Sequence, residues 1–161
     1  MNDSERLIRD FCALMRLGDP DSIARGAPLD VAGITCSITT SRHDEANALV
    51  LYCEFGVVPA GQENAIYQEL LVQNFIGAPD GGVMFGFSPL AKHVICIQHL
   101  RASEITAQRL ADILHHLAEK AGEWRRTFFL KPAEGRTEVG PAGVRSSAHA
   151  VLSSARALKA R

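Results

Sequence analysis

The residues best able to do chemistry in this 161-residue chain are six histidines, four cysteines and a scatter of carboxylates. The spacing of each group argues against a reactive centre. His115 and His116 are neighbours in a helical pattern, so they point in different directions and do not share a metal easily. His93 and His99 stand near the two ends of one strand pattern, while His43 and His149 are isolated in polar stretches. No HExxH is present, and Cys12, Cys36, Cys53 and Cys96 form no CxxC pair, so metal binding and thiol redox chemistry are not expected. Each cysteine sits among apolar neighbours, as a buried, reduced thiol does. The glycines of "GAPDGGVMFGF" lack the GxxxxGK of a phosphate loop and precede no helix. No serine lies in a GxSxG context, and Asp44 with Glu45 reads as a solvated loop pair. The expectation is a protein without catalytic residues, metal or cofactor.

A non-enzymatic chain must act through its surface, which puts the weight on the elements and on which faces they leave over. Hydrophobic residues make up 47% of the chain and charged residues 22%, as in ordinary globular proteins. No apolar run is long enough to cross a membrane, and "MNDSERLIRD" lacks the regions of a secretory signal, so a cytoplasmic location is expected. From Lys131 onward there are six basic and two acidic residues; removing these from the totals of 17 and 18 leaves 11 and 16, a net −5 for the first 130 residues. An acidic body argues against nucleic acid as its main partner.

Read along the chain, a first helix starts after Asp3 or Ser4 and stops at Gly18. Leu7, Phe11 and Leu14 form one apolar row on it, and Ile8, Cys12 and Met15 a second. "GDPD" marks a turn. A short strand follows over Leu29 to Ala32, with Pro28 acceptable only at a strand start or edge. Ile34, Cys36 and Ile38 alternate with polar residues in a half-buried strand, and after the polar connection "RHDEAN" the segment "ALVLYCEF" makes a third. A helix runs from about Glu63 to Phe75, and "VMFGFS" and "HVICIQHL" form a hairpin. Ser103 is the expected cap of a long last helix with one apolar face from Leu110 to Phe128. The fold class is therefore α+β: an antiparallel five-stranded sheet with three helices, in the order α-β-β-β-α-β-β-α, over residues 1–130. Residues 131–161, rich in Gly, Ala, Ser and Arg, read as a disordered basic tail.

The middle helix carries more apolar surface than one sheet needs. Ile66, Tyr67, Leu70, Leu71 and Phe75 are the expected interface of a homodimer, because twofold pairing is the commonest way to bury such a spare face. Ile8, Cys12 and Met15, with the edge segment Leu29 and Val31, are the expected groove for an incoming extended chain.

"YQELLVQNF" after a strand ending "FGVVP", then "GFSP", "VICIQHL" and a long helix containing "AGEWRRTF", resembles the Tir-chaperone (CesT-like) family of type III secretion chaperones. The likeness runs over roughly residues 4 to 129 and lies in the ordered combination. It implies a small homodimeric cytoplasmic chaperone without catalytic residues. Its partners would be a second copy, the N-terminal regions of secreted effectors held in extended form, and the export ATPase of the secretion apparatus. No membrane insertion is implied. A regulatory adaptor of the same system is the alternative, and a small-molecule-binding α+β protein or enzyme a more distant one.

Overall fold

The structure is a computed structural model that describes residues 2–40, 47–77 and 82–130. Residues 42–46 of the connection "RHDEAN" and the segment from Lys131 onward, on which two of the expectations above fall, lie outside the described residues. Helices α1 (Asp3–Met15) and α2 (Pro20–Ala24) precede strands β1 (Leu29–Val31), β2 (Ile34–Thr40) and β3 (Ala48–Gly56). Helix α3 (Glu63–Gly77), strands β4 (Met84–Ser88) and β5 (His93–Arg101), a 3₁₀ turn (Ala102–Glu104) and helix α4 (Ala107–Thr127) complete the order. The five strands form one antiparallel sheet in the order β1-β2-β3-β5-β4. The α+β class and the five-stranded sheet agree with the sequence reading.

The helix count does not: four α-helices are described, not three. The additional one is α2, which begins inside "GDPD". Asp19 accepts a hydrogen bond from the Ser22 amide at 3.1 Å and Pro20 takes the first helical position, so the supposed turn is a helix start. Two caps also move. Asn2 caps α1, accepting from the Glu5 amide at 2.8 Å while the Glu5 carboxylate accepts from the Asn2 amide at 3.2 Å. Thr106, not Ser103, caps α4 by accepting from the Arg109 amide.

The sheet buries one face against the helices. Cys36, Cys53 and Cys96 stand directly opposite one another on β2, β3 and β5, flanked by Leu29 on β1 and Phe85 on β4. All four cysteines are free and buried. Leu110, Leu114, Leu117, Ala121 and Trp124 of α4 join the same core as this row. The spacing of these five residues puts them on one helical face. At the far end Phe55 meets Phe85, Trp124 and Phe129 with ring centroids 5.2, 5.9 and 6.4 Å away. The same corner is tied through the backbone: Arg125 donates from Nε to the Phe55 carbonyl at 2.7 Å and from Nη2 to the Glu54 carbonyl at 3.1 Å. The register shifts between Glu54 and Gly56, and Gly56 has φ 128°, a conformation side chains resist.

Two expectations follow. Phe55→Ala removes the hub of the aromatic corner and should cost about 3–5 kcal/mol, read as a lower urea midpoint. The second concerns pH. Burial pushes the Cys96 thiol up from 9.0 to about 12, and the hydrogen bond shared with Cys36, together with burial, pushes Cys53 up as well. Between these values the folded state holds a proton that the unfolded chain releases, so stability is full below about pH 9 and falls as pH rises towards 12, by roughly 1.4 kcal/mol per pH unit per such thiol. Urea titrations of the Cys96→Ala variant should show a shallower alkaline slope than the unaltered protein.

Candidate interaction surfaces

The groups with chemical potential are dispersed. Among the described residues no three of His, Cys, Asp and Glu converge on a metal-binding geometry. His115 and His116 are exposed on α4, and His93 Nδ1 lies 3.6 Å from a Glu54 carboxylate oxygen. The Sγ atoms of Cys36 and Cys53 are 3.3 Å apart, but both are sealed in the core; Cys53 pushes the Cys36 thiol down while burial opposes it. His43, Asp44, Glu45 and His149 lie outside the described residues.

Helix α3 divides its apolar residues between two faces. Ile66 is fully buried in its own protomer, which removes it from the expected interface, while Leu70 is 5% exposed and lines a cleft towards Phe87. Tyr67 is half-buried and packs edge-on against Phe87 at 6.0 Å. Leu71 and Phe75 are 67% and 78% exposed, and Val72 and Ile76 extend that outer stripe. Ile76 is missing from the sequence reading, although its i+4 spacing from Val72 was the available signal. Met84, Phe87 and Leu90 add exposed apolar area on the β4–β5 hairpin. Between helix and hairpin is an apolar cleft of about 230 Å³ lined by Tyr67, Leu70, Leu71, Phe85, Phe87 and Val94.

What orients α3 is Asn74. Its Oδ1 accepts from the Phe85 amide at 2.6 Å and its Nδ2 donates to the Phe85 carbonyl at 3.0 Å. A residue's amide and carbonyl point the same way in a strand, so both groups of Phe85 face away from β5. Asn74 thus occupies part of the outer edge of β4, where another strand would pair.

The other edge belongs to β1. Here two sequence expectations change. Ile8 and Cys12 are each 1% exposed, so the row Ile8, Cys12, Met15 is not a groove; Leu7, Ile8, Phe11 and Cys12, from both rows, are buried among α2, the 3₁₀ turn and α4. The helix outruns this support, and Leu14, Met15 and Leu17 at its end are exposed. Leu14, expected in the core, is 47% exposed. Leu29 is buried and Val31 half-buried, so their side chains serve the protomer's own core. The loop Ala32–Gly33 has φ 51° and 79°, the geometry of a two-residue hairpin turn. In such a hairpin the flanking pair Val31 and Ile34 exchange hydrogen bonds, and the alternation then turns the amide and carbonyl of Asp30 outward. The outward donor of β1 is therefore Asp30, while Val31 pairs within the sheet.

The family model of the Tir chaperone protein (CesT) family matches residues 25–125. No curated protein sequence matches the chain. The fold is similar to that in the ExsC–ExsE complex, at TM-score 0.59 and 20% identity over 81% of this chain and 95% of the other. It is also similar to the Yersinia pestis type III secretion chaperone SycH in complex with a stable fragment of YscM2, at TM-score 0.57 and 15% identity over 76% and 98%. The HopA1–SchA chaperone–effector complex matches at TM-score 0.59 and 12% identity over 77% and 94%.

Charged replacements should separate the two faces of α3. Ile66→Asp places an unpaired charge in the core and should abolish cooperative folding, whereas Phe75→Asp should leave the urea midpoint of the isolated protomer fold nearly unchanged.

Proposed function

The chain belongs to the Tir chaperone protein (CesT) family, and from that premise we propose that it is a cytoplasmic type III secretion chaperone. It binds the N-terminal region of effector proteins in extended form and hands them to the export ATPase of the secretion apparatus. The observation that carries this reading is the apolar surface left over once the protomer core is complete: Leu71, Val72, Phe75 and Ile76 on α3, with Met84 and Phe87 beside them. A surface of this kind is the mark of a protein that works by binding other chains.

In this reading the α3 surface pairs two copies about a twofold axis, with the apolar cleft beside Phe87 receiving a side chain from the partner. Cargo takes what remains: the exposed end of α1 and the outward backbone of Asp30. Main-chain hydrogen bonds accept an extended segment whatever its sequence. Each apolar anchor of the cargo contributes on the order of 1.5–3 kcal/mol, less the entropy lost in ordering it. Binding alone does the work, and no chemical step is required. Two of the similar structures, a secretion chaperone with a bound fragment and a chaperone–effector complex, support a partner of this class.

The test is capture with the full-length tagged chain from a cell carrying the secretion system, followed by limited proteolysis and mass spectrometry. Protected fragments should map to the N-terminal regions of secreted proteins, and Met15→Asp and Asp30→Pro should each weaken capture several-fold. Fragments from proteins that are not secreted would contradict the reading; regulators of secretion in their place would favour the adaptor. Light scattering should give two protomers for the unaltered chain and one for Phe75→Asp.

A further inference from the structure

Three of the four cysteines stand in one row across the sheet, Cys36 on β2, Cys53 on β3 and Cys96 on β5. They share no CxxC spacing, because strand register alone brings them together. The two neighbouring pairs in the row are not equivalent. In the β1–β2 hairpin Val31 and Ile34 exchange hydrogen bonds, so Ile34 and Cys36 both turn their backbone groups towards β1. Cys36 and Cys53 are therefore a non-hydrogen-bonded pair, the kind whose Cα atoms approach to about 4.5 Å. By the same alternation Cys53 and Cys96 are a hydrogen-bonded pair, with Cα atoms about 5.5 Å apart.

A disulfide wants its Cβ atoms about 3.5–4.5 Å apart, which favours the narrower pair. The side chains agree, for the Sγ atoms of Cys36 and Cys53 are 3.3 Å apart and share a hydrogen bond. Closing that distance to a bond of about 2.05 Å asks for side-chain rotation rather than strand movement.

Access is the remaining condition, since a buried thiol is inert until it is exposed. Cys36 and Cys53 are 1% and 0% exposed. Cys36 is the easier to reach, because it lies beside the edge strand. Its neighbour on β1 is Leu29, and β1 has only three residues. So short an edge is held by few hydrogen bonds and opens more readily than the centre of a sheet. The hydrogen bond shared with Cys53 also favours the Cys36 thiolate, the nucleophilic form, while Cys53 keeps its proton.

We propose that Cys36 and Cys53 are a latent redox pair that closes to a cross-strand disulfide when a peroxide reaches Cys36 as β1 lifts. The Cys36 thiolate attacks one oxygen of hydrogen peroxide and the O–O bond breaks. Hydroxide leaves and takes up the proton that the thiol gave up, and the Cys36 sulfur is oxidised to a sulfenic acid. The Cys53 sulfur then attacks the Cys36 sulfur, the S–O bond breaks, and that hydroxide leaves with the Cys53 proton as a second water. One peroxide is reduced to two waters, and the chain loses two hydrogens. The bond ties together the two strands that carry the β1 edge. The pair needs neither cargo nor a second copy, so it stands or falls apart from the chaperone reading.

The test is exposure of the reduced full-length chain to millimolar hydrogen peroxide under native conditions, followed by intact mass and peptide mapping. The chain should lose about 2 Da, and the new link should join Cys36 to Cys53. Cys12 and Cys96 should stay open to alkylation after unfolding, and dithiothreitol should return all four thiols. Cys53→Ala should stop at the sulfenic acid and label with dimedone at Cys36, whereas Cys96→Ala should keep the link. Mapping of the unaltered chain decides by itself, however the variants fold. A link that includes Cys12 or Cys96, irreversible oxidation of Cys36 without a link, or four free thiols after the treatment would each overturn the proposal.

Discussion

Two hydrogen bonds from one side chain decide how this molecule presents itself. Asn74 grips the amide and carbonyl of Phe85, and so sets the rotation of α3 against β4. With that rotation Ile66 and Leu70 turn into the core, and Leu71 and Phe75 turn out of it. A short polar side chain is well suited to the task, because its paired donor and acceptor match the paired acceptor and donor of one strand residue. The same contact blocks an exposed sheet edge, the feature through which sheets associate without control. Orientation of the exposed apolar stripe and protection of the edge thus come from one residue.

The two sheet edges are handled differently as a result. On the β4 side Phe85 is occupied. On the β1 side the strand is only Leu29–Val31, and its pairing with β2 leaves Asp30 facing outward. Beyond β1 the chain bridges from Arg25 to Thr39, which covers more of the β2 edge. A short open edge favours a single added segment over indefinite stacking of sheets. In the proposed role that compromise is required, because the protein must accept another chain without aggregating with itself.

Much of this was legible in the residues alone, and the failures have physical reasons. The strands were readable because Ile34, Cys36 and Ile38 alternate strictly with polar residues, and because β3 keeps Leu49, Leu51, Cys53 and Phe55 on one face. Helix α2 was hidden because Asp-Pro serves both turns and helix starts, and only tertiary packing of Ile23 favours the helix. The surplus of apolar residues on α3 was correctly noticed, but composition does not say which of them face inward. Periodicity gives two candidate stripes, and Asn74 chooses between them. On α1 the error ran the other way: two apolar rows suggested one free row, while α1 is flanked by α2, α4 and the 3₁₀ turn and needs both. A gap left between α3 and α4 had no sequence signature, since its lining comes from four successive elements whose side chains meet only in the fold.

In the proposed role, cargo is held as an extended chain along the open β1 edge and the exposed end of α1. Hydrogen exchange on a complex of the full-length chain with the N-terminal segment of a secreted protein tests this most directly. It predicts new protection at Asp30 and near the end of α1, with the bound segment protected only where it touches the chaperone and showing no cooperative core of its own. A bound segment that keeps a slowly exchanging globular core, or a complex in which no amide of β1 or α1 gains protection, would contradict it.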